Sequence, residues 1–295
     1  MATAARGFHA LRVYLEMIKF EHSIFALPFA MIGMMWASRF KFATAWPGWW
    51  IFIWIVVAMV SCRSAAMAFN RIADRNIDAD NPRTKMRALP AGLLSLRQAN
   101  IFFYASCLIF FVAAGMLNRL ALELSPIALG VTLFYSFTKR FTWLCHFVLG
   151  LSLGIAPAAA WIATTGTLHP AIVAIAGAVT LWTAGFDILY ALQDVDFDRT
   201  HRLRSLPEKV GVKNALWISR LCHVCAVACL AWGGELVRAG MIYFVGVGFA
   251  ACLLAYEQSL VKSDDLSRIN LAFFTLNGFV SIGVFAFALV DQLIR

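Results

Sequence analysis

Long apolar segments alternate with polar ones along almost the whole chain. Runs long enough to cross a bilayer fall at approximately 22–38, 47–69, 99–118, 121–138, 143–163, 170–190, 213–233, 239–257 and 270–292. Because a helix of about 20 apolar residues spans the hydrocarbon core, this pattern predicts an all-α, polytopic membrane bundle of about nine transmembrane helices. The longest polar segments are 71–98 and 191–212. No soluble domain or linker stands out, so we expect one integral-membrane domain over 1–295.

Composition supports a membrane protein and excludes several other classes. Hydrophobic residues make up 61% of the chain and charged residues 14%, with a mean hydropathy of +0.76. A soluble domain has about 45–50% apolar and about 25% charged residues, so the chain lacks the polar surface of a soluble enzyme. The same figures disfavour a disordered, collagen-like or disulfide-rich secreted protein. No small-residue cleavage site follows the first apolar run, which we therefore interpret as a membrane helix rather than a signal peptide.

The charged residues indicate an orientation. The chain has 25 Lys and Arg against 16 Asp and Glu, a net charge of +9. In a soluble protein this surplus could suggest nucleic acid, but here we expect no nucleic-acid partner. If the chain has nine spans, 18 of the 25 basic residues lie on the side of the N-terminus. The positive-inside rule then places the N-terminus and both long polar segments in the cytoplasm.

Seven cysteines lie almost wholly in apolar stretches, where Cys behaves as a small hydrophobic residue. The spacing Cys222-His223-x-Cys225 resembles half of a metal site, but no second pair of ligands accompanies it. We therefore expect these residues to pack in a helix core.

Two clusters of carboxylates follow the second and sixth apolar segments. Asn70, Asp74 and Asp78 stand at i, i+4 and i+8, and Tyr190, Asp194 and Asp198 repeat that spacing, with Asp187 one turn earlier. If the helices continue past the membrane surface, the side chains of each row lie on one helix face. Like charges stacked in this way repel one another, so we expect cations beside them.

Rows of oxygen ligands without His or Cys suit a hard cation, and Mg²⁺ binds through a few carboxylates together with substrate phosphates. Basic residues near the two rows would suit a diphosphate: Arg83, Arg87, Lys139, Arg199, Arg202 and Arg204. These features together predict a site that holds a metal and a diphosphate. The alternative is that the charges are solvated ends of loops that only obey the topology rule.

The two motifs, Asn70-x-x-x-Asp74-x-x-x-Asp78 and Tyr190-x-x-x-Asp194-x-x-x-Asp198, resemble the aspartate-rich motifs of the UbiA superfamily of intramembrane prenyltransferases. The segment from Arg83 to Gly92 is similar to the family's sequence after its first motif, with Ala88 where proline is common. The resemblance also includes Lys19 and the segment from Tyr135 to Arg140, and so covers nearly the whole chain.

This resemblance implies Mg²⁺-dependent transfer of a polyprenyl group from its diphosphate to an aromatic ring. It implies metal binding by Asp74, Asp78, Asp194 and Asp198, with Asn70 and Tyr190 as further catalytic residues. It implies diphosphate contacts for Lys19, Arg83, Arg87, Lys139, Arg199 and Arg204, although the family often has Lys where Arg204 stands. The expected surroundings are the lipid bilayer of a bacterial inner membrane, with no obligate protein partner.

Arg63 is a charged residue inside the second apolar segment, where charge is unfavourable and usually faces a cavity or a partner. It precedes Asn70 by two helical turns, so it could bind the carboxylate of a benzoate-type acceptor from deeper in the membrane. Alternatively, it could form an internal ion pair with an aspartate such as Asp187.

The segments 63–70 and 185–190 resemble the 4-hydroxybenzoate polyprenyltransferase branch of the family, which makes Arg63 and Asp187 expected acceptor-binding residues. Segments 17–28 and 193–199 resemble bacterial members tied to menaquinone made through futalosine, whose acceptor is a dihydroxynaphthoate. Haem, chlorophyllide or a lipid acceptor, as in other branches, remains an alternative. A membrane transporter is a further alternative, but no inverted repeat is evident.

The orientation predicts which loops a membrane-impermeant thiol reagent reaches. Cysteines introduced near Arg83 and near Ser205 should react only from the cytoplasmic side, and one near Lys41 only from the outside. Labelling of the first two positions from opposite sides would contradict a shared site.

Overall fold

Helices occupy each of the predicted places in this computed structural model. It describes residues 13–14, 16–18, 25–261, 266, 268–269 and 271–295, and that part of the chain contains no strand. The long helices are α1 Leu27–Phe42, α2 Trp49–Ala73, α3 Leu96–Leu117, α4 Arg119–Thr138, α5 Cys145–Thr165, α6 Pro170–Ala191, α7 Val212–Leu236, α8 Met241–Leu260 and α9 Asn277–Ile294. Short helical segments at Arg75–Asp80, Leu192–Asp194, Val195–Thr200 and Leu206–Val210 follow α2 and α6.

Eight spans in the described residues, those of α2 to α9, are long and apolar enough to cross a bilayer. The all-α membrane bundle is therefore confirmed. The first predicted span differs, since α1 has 16 described residues and begins at Leu27 rather than near 22. Pro28 fits the first turn of α1, where a missing N–H loses no helical hydrogen bond. At the other end, Ala43 adopts a left-handed conformation and ends the helix.

The last predicted span also differs, because it is not one regular helix. A π-helical turn, Leu271–Leu276, precedes α9. The Asn277 side chain donates a hydrogen bond to the Phe273 carbonyl oxygen at 3.3 Å and another to Glu257 Oε1 at 3.2 Å. Hydropathy along the chain carries no signal for such a turn, which depends on contacts between α8 and α9.

Helix α6 is the most buried of the spans, and it packs against α5 and α7. Gly150 and Gly154 of α5 face it, and a Cβ atom on either would collide with backbone carbonyl groups of α6 at Thr180 and Ala176. Small residues one turn apart let two membrane helices approach closely without a hydrophobic driving force. This contact fixes where the end of α6, and the second acidic row, lies relative to α5.

The Cys222 and His223 side chains are buried where α7 meets α6. The His223 ring lies against Gly185, and its Nδ1 is 3.1 Å from the Gln258 side-chain nitrogen. These contacts are those of a packed helix core, as the sequence predicted.

Polar side chains join the ends of neighbouring helices. Asn118 caps α4 by accepting a hydrogen bond from the Ala121 N–H at 2.9 Å. Its amide also donates to the carbonyl oxygens of Ile162 and Ala163, at 2.8 and 2.9 Å, near the end of α5. Asn118 therefore satisfies terminal backbone groups of two helices at once.

Replacing Asn118 by Ala should lower the free energy of unfolding by about 1–2 kcal/mol, the usual effect of removing an N-cap, or more because the α5 contacts are also lost. Asn100→Ala is a matched control, since the Asn100 amide donates a hydrogen bond only to the Leu96 carbonyl oxygen of its own helix. Thermal unfolding in detergent measures both variants. Equal stability of the two would contradict a joint cap.

Candidate active site

The two acidic rows are interrupted at the same position. Helix α2 ends at Ala73, and Asp74 has φ −97° and ψ 7° before the helix Arg75–Asp80 begins. Asp194 has nearly the same conformation, φ −108° and ψ 5°, before the helix Val195–Thr200. The prediction of two continuous helix faces is therefore wrong in detail. Each row bends at its middle aspartate, and the side chain of that aspartate pairs with an arginine from another segment, Arg140 for Asp74 and Arg83 for Asp194.

Each of the four aspartates is paired with a basic side chain, as the expected charge balance requires. Arg140 Nη2 lies 3.0 Å from Asp74 Oδ1, Arg87 Nη1 2.7 Å from Asp78 Oδ1, Arg83 Nη2 2.5 Å from Asp194 Oδ2, and Lys139 Nζ 2.7 Å from Asp198 Oδ1. Burial raises the pKa of the Asp74 carboxyl, and the hydrogen bond from Arg140 opposes that rise. The basic side chains thus offset the repulsion between the carboxylates within each row.

Arg83 connects the two rows. It follows the first row in sequence, yet its guanidinium donates to both Asp194 oxygens, from Nε at 3.1 Å and from Nη2 at 2.5 Å. A third hydrogen bond runs from Nη1 to the Tyr190 hydroxyl oxygen at 2.8 Å. This fork of donors is a geometry that arginine offers and lysine does not.

A polar cavity of about 190 Å³ lies between the rows, with Asn70, Asp74, Asp78, Arg83, Arg87, Lys139, Arg140, His146, Asp187, Tyr190 and Asp194 on its walls. An apolar cavity of about 340 Å³ lies beside it, lined mainly by side chains of α2, α4 and α5. Asn70 and Tyr135 line both cavities. A charged chamber therefore adjoins an apolar chamber inside the membrane helices.

The structure separates the two residues expected at the acceptor. Arg63 lies on the wall of the apolar cavity, whereas Asp187 lies on that of the polar one. Asp187 Oδ2 is 2.7 Å from His146 Nδ1. Asp187 thus has a defined partner in His146, a residue that the sequence analysis did not consider.

Not every predicted phosphate contact reaches the cavity. Lys19 lies outside the described residues. Arg199 has a side chain that is 66% exposed, 4.0 Å from Asp196, and the walls of the polar cavity do not include it. Arg204 donates to the Phe141 carbonyl oxygen at 2.6 Å and ties the second polar segment to the loop before α5. Diphosphate contacts were expected for Arg199 and Arg204, but neither side chain lines the polar cavity in this conformation.

The residues present fit a divalent cation. Asp78 Oδ2 is buried and has no hydrogen-bond partner among the described residues, and carboxylate oxygens are the ligands that Mg²⁺ prefers. Within the same part of the chain, no three His, Cys, Asp or Glu side chains converge on one point. The aspartates instead face their basic partners, which a phosphate group could draw away.

Sequence reasoning missed Arg71, Arg140 and His146 as wall residues. Arg71 Nη1 donates to Asn70 Oδ1 at 3.2 Å, and Asn70 Nδ2 donates in turn to Asp74 Oδ2 at 2.9 Å. Arg140 follows Lys139 directly, so its position beside a predicted residue was a usable signal. His146 is a lone polar residue at the start of an apolar run, and such a residue indicates nothing until its neighbours in space are known.

Paired acidic segments at the ends of two membrane helices, bridged by cations, define a class of membrane-embedded enzyme. Residues 26–280 match the sequence model described as the UbiA prenyltransferase family. The chain belongs to this family and is a prenyltransferase.

Relatives and solved structures agree with the family. A 4-hydroxybenzoate octaprenyltransferase of Saccharophagus degradans is 31% identical over 270 residues, which cover 90% of each chain. One of Nitrosospira multiformis is 32% identical over 83% of this chain and 84% of its own. The apo structure of a UbiA homolog from Aeropyrum pernix K1 has a TM-score of 0.83 at 37% identity, covering 92% of this chain and 98% of its own. A UbiA homolog from Archaeoglobus fulgidus, bound to GPP and Mg²⁺, shares the fold with a TM-score of 0.70 at 18% identity, over 95% and 99% of the chains.

The positions of Arg83 and Arg199 predict opposite outcomes for one substitution. Arg83→Lys should lower prenyl transfer at least about tenfold, because a single ammonium cannot bond both Asp194 oxygens and Tyr190. Arg199→Lys should leave it within about twofold, because Arg199 is exposed and outside the cavity. Initial rates at equal amounts of folded protein measure both. Equal losses in the two variants would contradict the assignment of Arg83 as the bridge.

Proposed function

We propose that this prenyltransferase transfers a polyprenyl group from polyprenyl diphosphate to an aromatic hydroxy acid, with Mg²⁺ as cofactor, in the biosynthesis of a quinone. The observation that carries this proposal is the junction of the two cavities at Asn70 and Tyr135. A diphosphate suits the charged chamber and a polyprenyl chain suits the apolar one. The bond between them then lies at the junction.

The charged residues act on the leaving group. Arg83, Arg87, Lys139 and Arg140 now face the aspartates, and in the complex they would contact the diphosphate oxygens while Asp74, Asp78 and Asp194 hold the metal. Asp198 is fully buried beside Lys139 and is not on the cavity wall, so metal binding by Asp198 stays a prediction. Arg199 is not on the cavity wall, so the structure does not support a contact between Arg199 and the diphosphate. A diphosphate contact of Lys19 stays a prediction. Bound Mg²⁺ would supply positive charge to the diphosphate as its bond to carbon breaks. The UbiA homolog from Archaeoglobus fulgidus that is bound to GPP and Mg²⁺ supports the same use of the fold.

The apolar chamber acts on the prenyl group. An allylic carbocation forms as the diphosphate departs, and the electron-rich ring attacks it and then loses a proton to restore aromaticity. Side chains such as Ala156, Ile155 and Leu153 line the chamber and offer water no hydrogen bonds, which would limit hydrolysis of the cation. The apolar chamber thus holds the prenyl group and keeps water from the carbocation.

The position of Arg63 and the activity of the relatives favour an aromatic acid as acceptor. Arg63 lies on the wall of an otherwise mainly apolar cavity, which also includes Asn70 at its charged end. A guanidinium there suits a carboxylate carried by an aromatic ring. Relatives at about 30% identity are 4-hydroxybenzoate octaprenyltransferases. A dihydroxynaphthoate offers the same two groups, so the comparison of acceptors is part of the test.

We further propose that the polar chamber faces the cytoplasm of a bacterium and that the enzyme lies in its inner membrane. The excess of basic residues on that side supports the orientation. Bacterial relatives support the membrane.

Incubation of the purified enzyme with labelled polyprenyl diphosphate, Mg²⁺ and a panel of acceptors tests the function. The panel comprises 4-hydroxybenzoate, a dihydroxynaphthoate, protohaem and glycerol phosphate. We expect label in an aromatic acid, no product in EDTA and none from Asp194→Asn. Product with haem or glycerol phosphate alone, or full activity in EDTA, would contradict the proposal. Donor uptake into vesicles without a product would instead indicate transport.

Replacing Arg63 by Leu distinguishes its two possible roles. If it binds the acceptor carboxylate, Arg63→Leu removes a charge-assisted hydrogen bond of about 1.5–3 kcal/mol and raises the KM for the acceptor, with the donor KM and the melting temperature nearly unchanged. If it closes an internal ion pair, the same change strands a carboxylate and lowers the melting temperature. Substrate titrations and thermal unfolding of one variant distinguish the two results. Lower stability with both KM values unchanged would exclude the acceptor role.

A further inference from the structure

His146 lies on the wall of the polar cavity and makes two contacts to different parts of the chain. Its ring is 3.2 Å, at Nε2, from the backbone N–H of Leu206, which begins the short helix Leu206–Val210. Nδ1 is 2.7 Å from Asp187 Oδ2. The ring therefore bridges α6 and the end of the second polar segment from the first turn of α5.

These contacts define the tautomer of the ring. A backbone N–H can only donate, so Nε2 must accept and carries no proton. Nδ1 then carries the proton of the imidazole, and this N–H donates a hydrogen bond to Asp187 Oδ2. His146 is thus oriented by a fixed donor on one side and orients a carboxylate on the other, as a histidine does when one ring nitrogen fixes the role of the second.

Burial differs between the two partners. The His146 side chain is 3% exposed, whereas that of Asp187 is 16% exposed and reaches the cavity. Asp187 precedes Tyr190 by about one helical turn on α6, so both side chains approach the same chamber. A molecule in the chamber can contact Asp187 but scarcely His146.

Asp187 is one of the two expected acceptor-binding residues. We propose that His146 is the positioning residue that orients Asp187 to accept a hydrogen bond from the ring hydroxyl of the acceptor. The proposal rests on the proposed function, because it requires an acceptor with a phenolic hydroxyl. Through Leu206, the same ring ties the acceptor end of the chamber to the segment that follows Asp198. Lys139, which pairs with Asp198, also accepts a backbone hydrogen bond from Arg204 in that segment, at 2.7 Å.

Two substitutions of His146 separate its two contacts. An Asn side chain brings an amide N–H to the place of Nδ1, so His146→Asn keeps the donor to Asp187 and loses the acceptor for Leu206. A Gln side chain brings an amide oxygen to the place of Nε2, so His146→Gln keeps the contact with Leu206 and loses the one with Asp187. Asp187→Ala removes the proposed acceptor contact itself.

The measurement is the ratio of two dissociation constants for acceptor binding, determined in the absence of polyprenyl diphosphate. One is for the acid that the wild-type enzyme prenylates best, and the other is for the same acid lacking its ring hydroxyl. We expect the hydroxyl to strengthen binding about tenfold in wild type and in His146→Asn, and to have almost no effect in His146→Gln and Asp187→Ala. The donor KM should rise in His146→Asn, which releases Leu206, and stay near wild type in His146→Gln.

His223→Gln is the matched control, because His223 is equally buried but does not line the polar cavity. It should leave the ratio unchanged whatever it does to the melting temperature. An unchanged ratio in His146→Gln, or the same loss in both His146 variants, overturns the inference while wild-type activity still supports the proposed function. A wild-type enzyme that prenylates no aromatic acid overturns both, so the two failures are distinguishable.

Discussion

Four carboxylates near the ends of two membrane helices can remain ionised only if positive charge lies within a few ångströms of each. This electrostatic constraint governs the site, because burial of like charges without partners is strongly unfavourable. The chain meets it with four pairs, and Arg83 joins the two rows by bonding Asp194 across the cavity. Under the proposed function, the same side chains exchange partners when a diphosphate and its metal enter, because the phosphate oxygens attract the basic side chains and the metal attracts the carboxylates.

The helical bundle fixes where the two rows lie relative to each other. Close packing of α5 on α6 at Gly150 and Gly154 sets the position of the second row. Asn118 joins two helix ends and supplies hydrogen bonds to backbone groups that the membrane cannot satisfy. None of these features touches a substrate. They matter because a displacement of about 1 Å at a catalytic group can lower a rate strongly.

The sequence predicted the parts of the structure that depend on local pattern. Hydropathy located the spans, and the spacing of Asn70, Asp74 and Asp78 indicated a charged site that needs cations. It did not predict which cation meets which carboxylate, because Arg83 reaches the row that is distant in sequence. The bend at each middle aspartate and the π-helical turn were equally hidden, since the hydropathy pattern along the chain carries no signal for either. His146 became meaningful only when the fold brought Asp187 and Leu206 to its two nitrogens.

The wall shared by Asn70 and Tyr135 creates an abrupt step in polarity across one or two side chains. Under the proposed function, the bond that breaks lies at this boundary. The diphosphate anion then lies in the charged cavity and the carbocation in the apolar one. Speed and fidelity then become separable properties of the enzyme. Substitutions on the charged side change how fast ionisation occurs, whereas those on the apolar side change how the cation partitions between the ring and stray water. Variants with slow but clean turnover, and others with fast but wasteful turnover, should thus arise from opposite faces of one boundary.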